Sequence, residues 1–121
     1  MIVILLISLV AIFKSIADTL DDHFTTSIFR KLPWQVWDAN RATTKKFLFT
    51  NYKLDPWHLC NSMMILCFFA AMPLYKPFAW LSFLNGAWQH IASICVLGIW
   101  YNFLFELFYA KFLIAKPWRK K

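Results

Sequence analysis

Apolar residues in this chain are gathered into three long runs, and polar residues into the segments between them. The first run, MIVILLISLVAIFKSIAD, carries Lys14 as its one base. At ~1.5 Å of helical rise per residue it approaches bilayer thickness, which predicts a membrane span over residues 2–18. A secretory signal carries positive charge ahead of its apolar stretch. Here the base follows, which points to a retained helix with a translocated N-terminus. The second run, WHLCNSMMILCFFAAMPLY, has no charged side chain unless His58 is protonated, and predicts a span over residues 57–75. Asp55 followed by Pro56 is the favoured order for an N-cap and first helical residue. Pro73 and Pro77 remove backbone donors at the other end, so Lys76 and Pro77 are read as the turn on the opposite membrane face.

The third run, from Phe78 to Ala115, holds one acid and one base, Glu106 and Lys111. It is too short for two crossings of ~20 residues plus a turn. The best turn signal, Asn85 and Gly86, comes too early to divide it. The expectation is a short interfacial piece, FAWLSFLNGA, and one long helix spanning residues 88–115, with Pro117 as its stop. Residues 19–56 carry Arg30, Lys31, Arg41, Lys45, Lys46 and Lys53 with four of the six acids. Their interspersed Phe, Trp and Tyr predict short interfacial helices, rings half-sunk at headgroup level. The fold class expected is all-α, a single membrane domain with three transmembrane helices and a basic interfacial loop.

Composition agrees: the chain is 60% hydrophobic and 20% aromatic with 16% charged residues, more apolar than soluble usage. A water-soluble core in 121 residues would leave many of these rings uncovered, and a lipid bilayer covers them. The net charge of +7 follows the spans rather than any basic-and-aromatic recognition module, so no nucleic acid partner is expected. Lys14, the six loop bases and the five from Lys111 onward lie near one face, against Lys76 alone at the other. The positive-inside tendency then puts loop 19–56 and the C-terminus in the cytoplasm or an equivalent inner side, and the N-terminus outside. Cys60, Cys67 and Cys95 lie within the apolar runs and read as small packing residues. No small-xxx-small pattern dominates, so no homodimer face is named.

That topology draws the acids and two histidines to the inner side. Asp18 and Asp22 are four apart and share a helix face, His23 follows, Asp55 and His58 open the second helix, and Glu106 reaches a similar depth. Carboxylates and imidazoles together suit a divalent metal, or an acid/base pair acting on a lipid headgroup. The alternative is structural, since acids cap helix starts and neutralise nearby bases. Glu106 within FLFELFYAKF would cost ~2.5–3.5 kcal/mol facing lipid at the bilayer centre, so it is expected to face a helix or the interface, or to pair with Lys111. His90 is too far along the third helix to join the cluster and is read as a headgroup or packing contact. Glycine-rich phosphate loops, nucleophile elbows, paired-cysteine zinc motifs and HExxH are all missing.

The pieces IADTLDDHFTTSIF, WDAN, KLDPWHL and NFLFELFYAKFL resemble a group of uncharacterised small polytopic membrane proteins of bacterial and phage genomes. The shared pattern is an Asp and a His-Phe after the first helix, D-x-W-H opening the second, and an aromatic-rich stretch near the end. It maps onto Asp18, His23, Phe24, Asp55, Trp57, His58, Phe105, Leu107, Phe108 and Tyr109, with Pro56 where the group has a small residue. The resemblance implies no activity. Three aromatic-rich helices offer little interior for a site, so the expected function is a structural or accessory subunit among other membrane protein subunits. The competing expectation is a metal-assisted membrane enzyme using Asp18, Asp22, His23, Asp55, His58 and Glu106.

Overall fold

The computed structural model describes residues 1–32 and 56–114. Within them the chain is helical, with no strand and one isolated antiparallel bridge, between Ser27 and Ile114. Helix α1 runs over Ile2–Asp22, α2 over Pro56–Ala71 and α3 over Gly86–Glu106. The third continues as a π-helical stretch over Leu107–Leu113, and single 3-10 turns lie at Phe24–Thr26, Ile28–Lys31 and Ala79–Leu81. The interfacial pieces expected between residues 33 and 55, and the end of the third span beyond 114, lie outside the described residues.

Two boundaries differ from the sequence expectation for identifiable reasons. Helix α1 continues four residues past the apolar run and closes where the His23 N–H bonds to the Thr19 carbonyl at 3.0 Å. Polarity changes at residue 18, but neither Gly nor Pro interrupts the backbone ladder there, so the helix carries on. Helix α2 stops at Ala71 rather than at 75, because Met72 precedes Pro73 and a pre-proline residue is disfavoured in the α region. Its end is finished by tighter turns, Leu74 N–H to Ala71 O and Tyr75 N–H to Met72 O, both 3.2 Å. Sixteen residues at ~1.5 Å give ~24 Å, short of the ~30 Å hydrocarbon core. By length and composition two helices are apolar and long enough to cross a membrane, Ile2–Asp22 and Gly86–Leu113.

The Asn85–Gly86 signal does mark a turn. Asn85 occupies the N-cap position of α3, and Gly86 takes a positive φ of 30°, a conformation that only glycine adopts without strain. FAWLSFLNGA is therefore a separate piece containing the Ala79–Leu81 turn, and α3 starts two residues earlier than expected.

Helix α1 organises the bundle. It packs most extensively against α2 and also against α3 and the π-helical stretch, while α2 and α3 hardly touch. Its contact face is made of small residues: Ala11, Ser15 and Thr19, spaced by four, are wholly buried. Ser8 lies one turn earlier, and its hydroxyl accepts a 2.9 Å hydrogen bond from the indole N–H of Trp100 in α3. Small side chains let helix backbones approach closely. This is the small-xxx-small pattern that sequence reading passed over. The Ser15 and Thr19 hydroxyls return their protons to the helix itself, to the Ala11 and Ser15 carbonyls at 3.0 and 2.7 Å, so no buried donor is orphaned.

Candidate functional site

The end of the bundle where α1 finishes and the π-helical stretch begins brings four of the six candidate residues near Tyr109, which the sequence marked only through the family resemblance. The ring of His23 lies 5.6 Å from that of Tyr109. The carboxylates of Asp22, Asp18 and Glu106 all act electrostatically on its hydroxyl. Tyr109 is held from behind by stacking on Phe105, 5.3 Å away, which in turn stacks on Tyr101 at 6.2 Å. These three rings are four residues apart, so one face of α3 and its π-helical extension carries a continuous aromatic ladder. The sequence signal for Tyr109 lay in the aromatic-rich stretch on which the family resemblance rests.

Charges at this end are partly compensated. The Lys14 ammonium forms an ion pair with Asp18 one turn on. Glu106 is exposed and makes no ion pair with Lys111. His58 is half-buried, edge-on to Trp57 at 4.6 Å, and Asp55 lies outside the described residues. Among the described residues no three His, Cys, Asp or Glu side chains converge closely enough to hold a metal ion. What this end offers is a phenol and an imidazole edged by carboxylates, a group that attracts cations and balances the surrounding bases.

At the opposite end, polar side chains strap the inter-helix turn onto α3. The Phe78 N–H donates to the Ser93 hydroxyl at 2.9 Å, and the Gln89 amide donates to the Phe78 carbonyl at 3.0 Å. Ser93 is fully buried and donates in turn to the Gln89 carbonyl at 2.8 Å. The Tyr75 hydroxyl donates to the His90 carbonyl at 3.2 Å, with the two rings 5.9 Å apart. Both backbone groups of Phe78, next to helix-breaking Pro77, are thus satisfied at a part-buried turn. Neither Gln89 nor Ser93 was marked by the sequence as important. His90 is exposed, and its ring contact is with Tyr75.

Between α2 and α3, which diverge, lies an open apolar groove of about 670 Å³. Its walls are Met64 and Phe68 on one side and Leu97 and Gly98 on the other, with Ile7 and Val10 of α1 as its floor. Tyr75 and Tyr101 stand at its two ends. A side chain added at Gly98 would meet nothing within 4 Å. No family model matches the chain, and no curated protein or solved structure matches it.

Proposed function

We propose that this chain is an integral membrane protein of three crossings that serves as a small structural or accessory subunit of a larger membrane assembly. The observation that carries the reading is how little its apolar helices cover one another. Only 6% of the apolar window of α3 is buried, and Ile99 and Phe103 are 70% and 57% exposed. The core helix of a soluble protein would be mostly covered, and water-soluble monomers rarely present apolar patches beyond a few hundred Å². In hydrocarbon the same surface carries no such penalty. Helix α1 lies packed against both other helices, consistent with a retained span. The shorter α2 crosses with its following turns and with local thinning of the bilayer.

The basic residues orient the bundle, with the N-terminus outside and residues 19–56 and the C-terminus on the inner side. Partners on this reading are lipid and other membrane subunits, with no nucleic acid. Support for a subunit role comes from the splayed α2 and α3, whose outward faces are apolar and uncovered.

The test combines alkaline carbonate washing of membranes, native electrophoresis in mild detergent and elemental analysis of the purified protein. Retention in the washed membrane and comigration with other subunits support the proposal. Release by carbonate refutes the membrane reading. Stoichiometric metal that disappears in a His23→Ala/His58→Ala variant refutes the accessory reading in favour of metal-assisted chemistry at the inner end.

A further inference from the structure

Polar side chains that face hydrocarbon are costly, and α3 carries two of them on its outward side. Cys95, Ile99, Asn102 and Glu106 follow one another at spacings of four, three and four, and all are exposed. They form one stripe along the helix, opposite the buried Ser93 and the half-buried Leu97 and Leu104. At helical rise Asn102 stands ~24 Å from Gly86 at the outer turn, inside a hydrocarbon core of ~30 Å, and Glu106 reaches the inner edge of that core. The Asn102 amide makes no hydrogen bond among the described residues. Lipid tails offer none either, so its partner comes from outside the chain.

Two features select a second copy of the chain as that partner. The spacing of four, three and four is the seam of a left-handed helix pair, in which a single asparagine fixes register and pairs across the two-fold axis. An amide both donates and accepts, so Asn102 is satisfied by Asn102 of a second copy, with no other chemistry required. Copies inserted under the same basic loop share one orientation, which makes their α3 helices parallel and brings equal residue numbers to equal depth. Each Asn102 amide then has a donor left for the Glu106 carboxylate of the other copy, one turn inward. At the headgroup edge water and salt screen the two carboxylates from each other. Cys95 is small and lets the two backbones approach. We infer that α3 pairs in parallel with α3 of a second copy along Cys95, Ile99, Asn102 and Glu106, with Asn102 as the polar clamp. This rests on the membrane reading above and names the chain itself as one of its partners.

The test uses the full chain with Cys60→Ser and Cys67→Ser, which leaves the native Cys95, in phosphatidylcholine vesicles oxidised with copper phenanthroline. A covalent dimer forms through Cys95. With Cys95→Ser added, Ile99→Cys crosslinks likewise, while Leu97→Cys and Leu104→Cys on the opposite side do not. Energy transfer between copies labelled at the amino terminus, read over a series of lipid dilutions, gives the dissociation constant. Asn102→Leu raises it about tenfold, and Asn102→Gln, which keeps the amide, recovers most of the affinity. Asn102→Leu unfolds in mixed micelles as the wild type does, which separates lost pairing from lost folding. Equal crosslinking from Leu97→Cys or Leu104→Cys, energy transfer indifferent to Asn102→Leu, a monomer at every dilution, or, in native membranes, Cys95 joined to a different polypeptide in place of a second copy each overturns the inference. Absence of the Cys95 dimer in a chain that carbonate does not remove refutes the pairing alone; release by carbonate refutes the membrane reading as well.

Discussion

Replacing Ser93 by alanine removes one oxygen and should cost far more than its size suggests. The side chain is fully buried, accepts from the Phe78 N–H at 2.9 Å and donates to the Gln89 carbonyl at 2.8 Å. The Gln89 carbonyl is one turn before Ser93 in α3 and keeps its backbone partner, so losing the donated bond matters little. The Phe78 N–H has no other partner among the described contacts and follows Pro77, which fixes the local chain. An orphaned buried donor costs ~1–3 kcal/mol, against ~0.5–1.5 kcal/mol for an ordinary hydrogen bond, so Ser93→Ala should destabilise by about 2 kcal/mol. Ser93→Thr keeps the hydroxyl and should recover most of that. Gln89→Ala leaves the Phe78 carbonyl still bonded to the Leu81 N–H at 3.0 Å and should cost about 0.5 kcal/mol, and the double variant should fall short of the sum because both groups grip one residue. The assay is unfolding in mixed micelles with rising dodecyl sulfate, followed by tryptophan fluorescence. A Ser93→Ala protein within ~0.5 kcal/mol of wild type, or a Ser93→Thr protein as weak as the alanine variant, would refute the strap as a stabilising element.

Trp100→Phe and Ser8→Ala should show a coupling of ~0.6 kcal/mol, and no more than ~1.7, in a double-mutant cycle read by the same unfolding assay. Ala11→Leu places three extra carbons into a wholly buried site on the packing stripe, with ~1–3 kcal/mol of destabilisation expected and a weakened α1 contact seen by interhelical disulfide trapping. Asp18→Asn leaves the Lys14 cation without its partner within α1. It should therefore lower the yield of inserted protein more than the Lys14→Met/Asp18→Asn double variant does, measured by glycosylation mapping in microsomes.

The helices themselves were legible because apolar runs and proline positions are local signals. Pro56 opens α2 where the Asp55–Pro56 order put it, and Asn85–Gly86 precedes α3. The helix ends were less so, since residues 19–22 change polarity without changing backbone preference and Met72 feels a proline still to come. Faces could not be read on α2 and α3, which are apolar all round, so no periodicity says which side meets α1. The Ala11, Ser15, Thr19 stripe was present at four-residue spacing, yet it is diluted among larger apolar neighbours and shows only once burial is known. The strap joins residues 11 and 15 apart in sequence, a pairing set by how the turn folds back and carried by no local pattern. Of the candidate cluster, Asp18, Asp22 and Glu106 share an end of the bundle because α1 and α3 both finish there, whereas the place of Tyr109 beside His23 is a long-range contact that no local pattern carries.

The most direct measurement is sidedness. In a background with Cys60, Cys67 and Cys95 replaced by serine, single substitutions Lys31→Cys, Lys76→Cys and Lys120→Cys are treated with a membrane-impermeant maleimide on sealed vesicles of one orientation. Three apolar crossings with their basic ends in one compartment require that positions 31 and 120 react from the same side and position 76 only from the other. Reaction of positions 31 and 120 from opposite sides, or of all three from both, would contradict it.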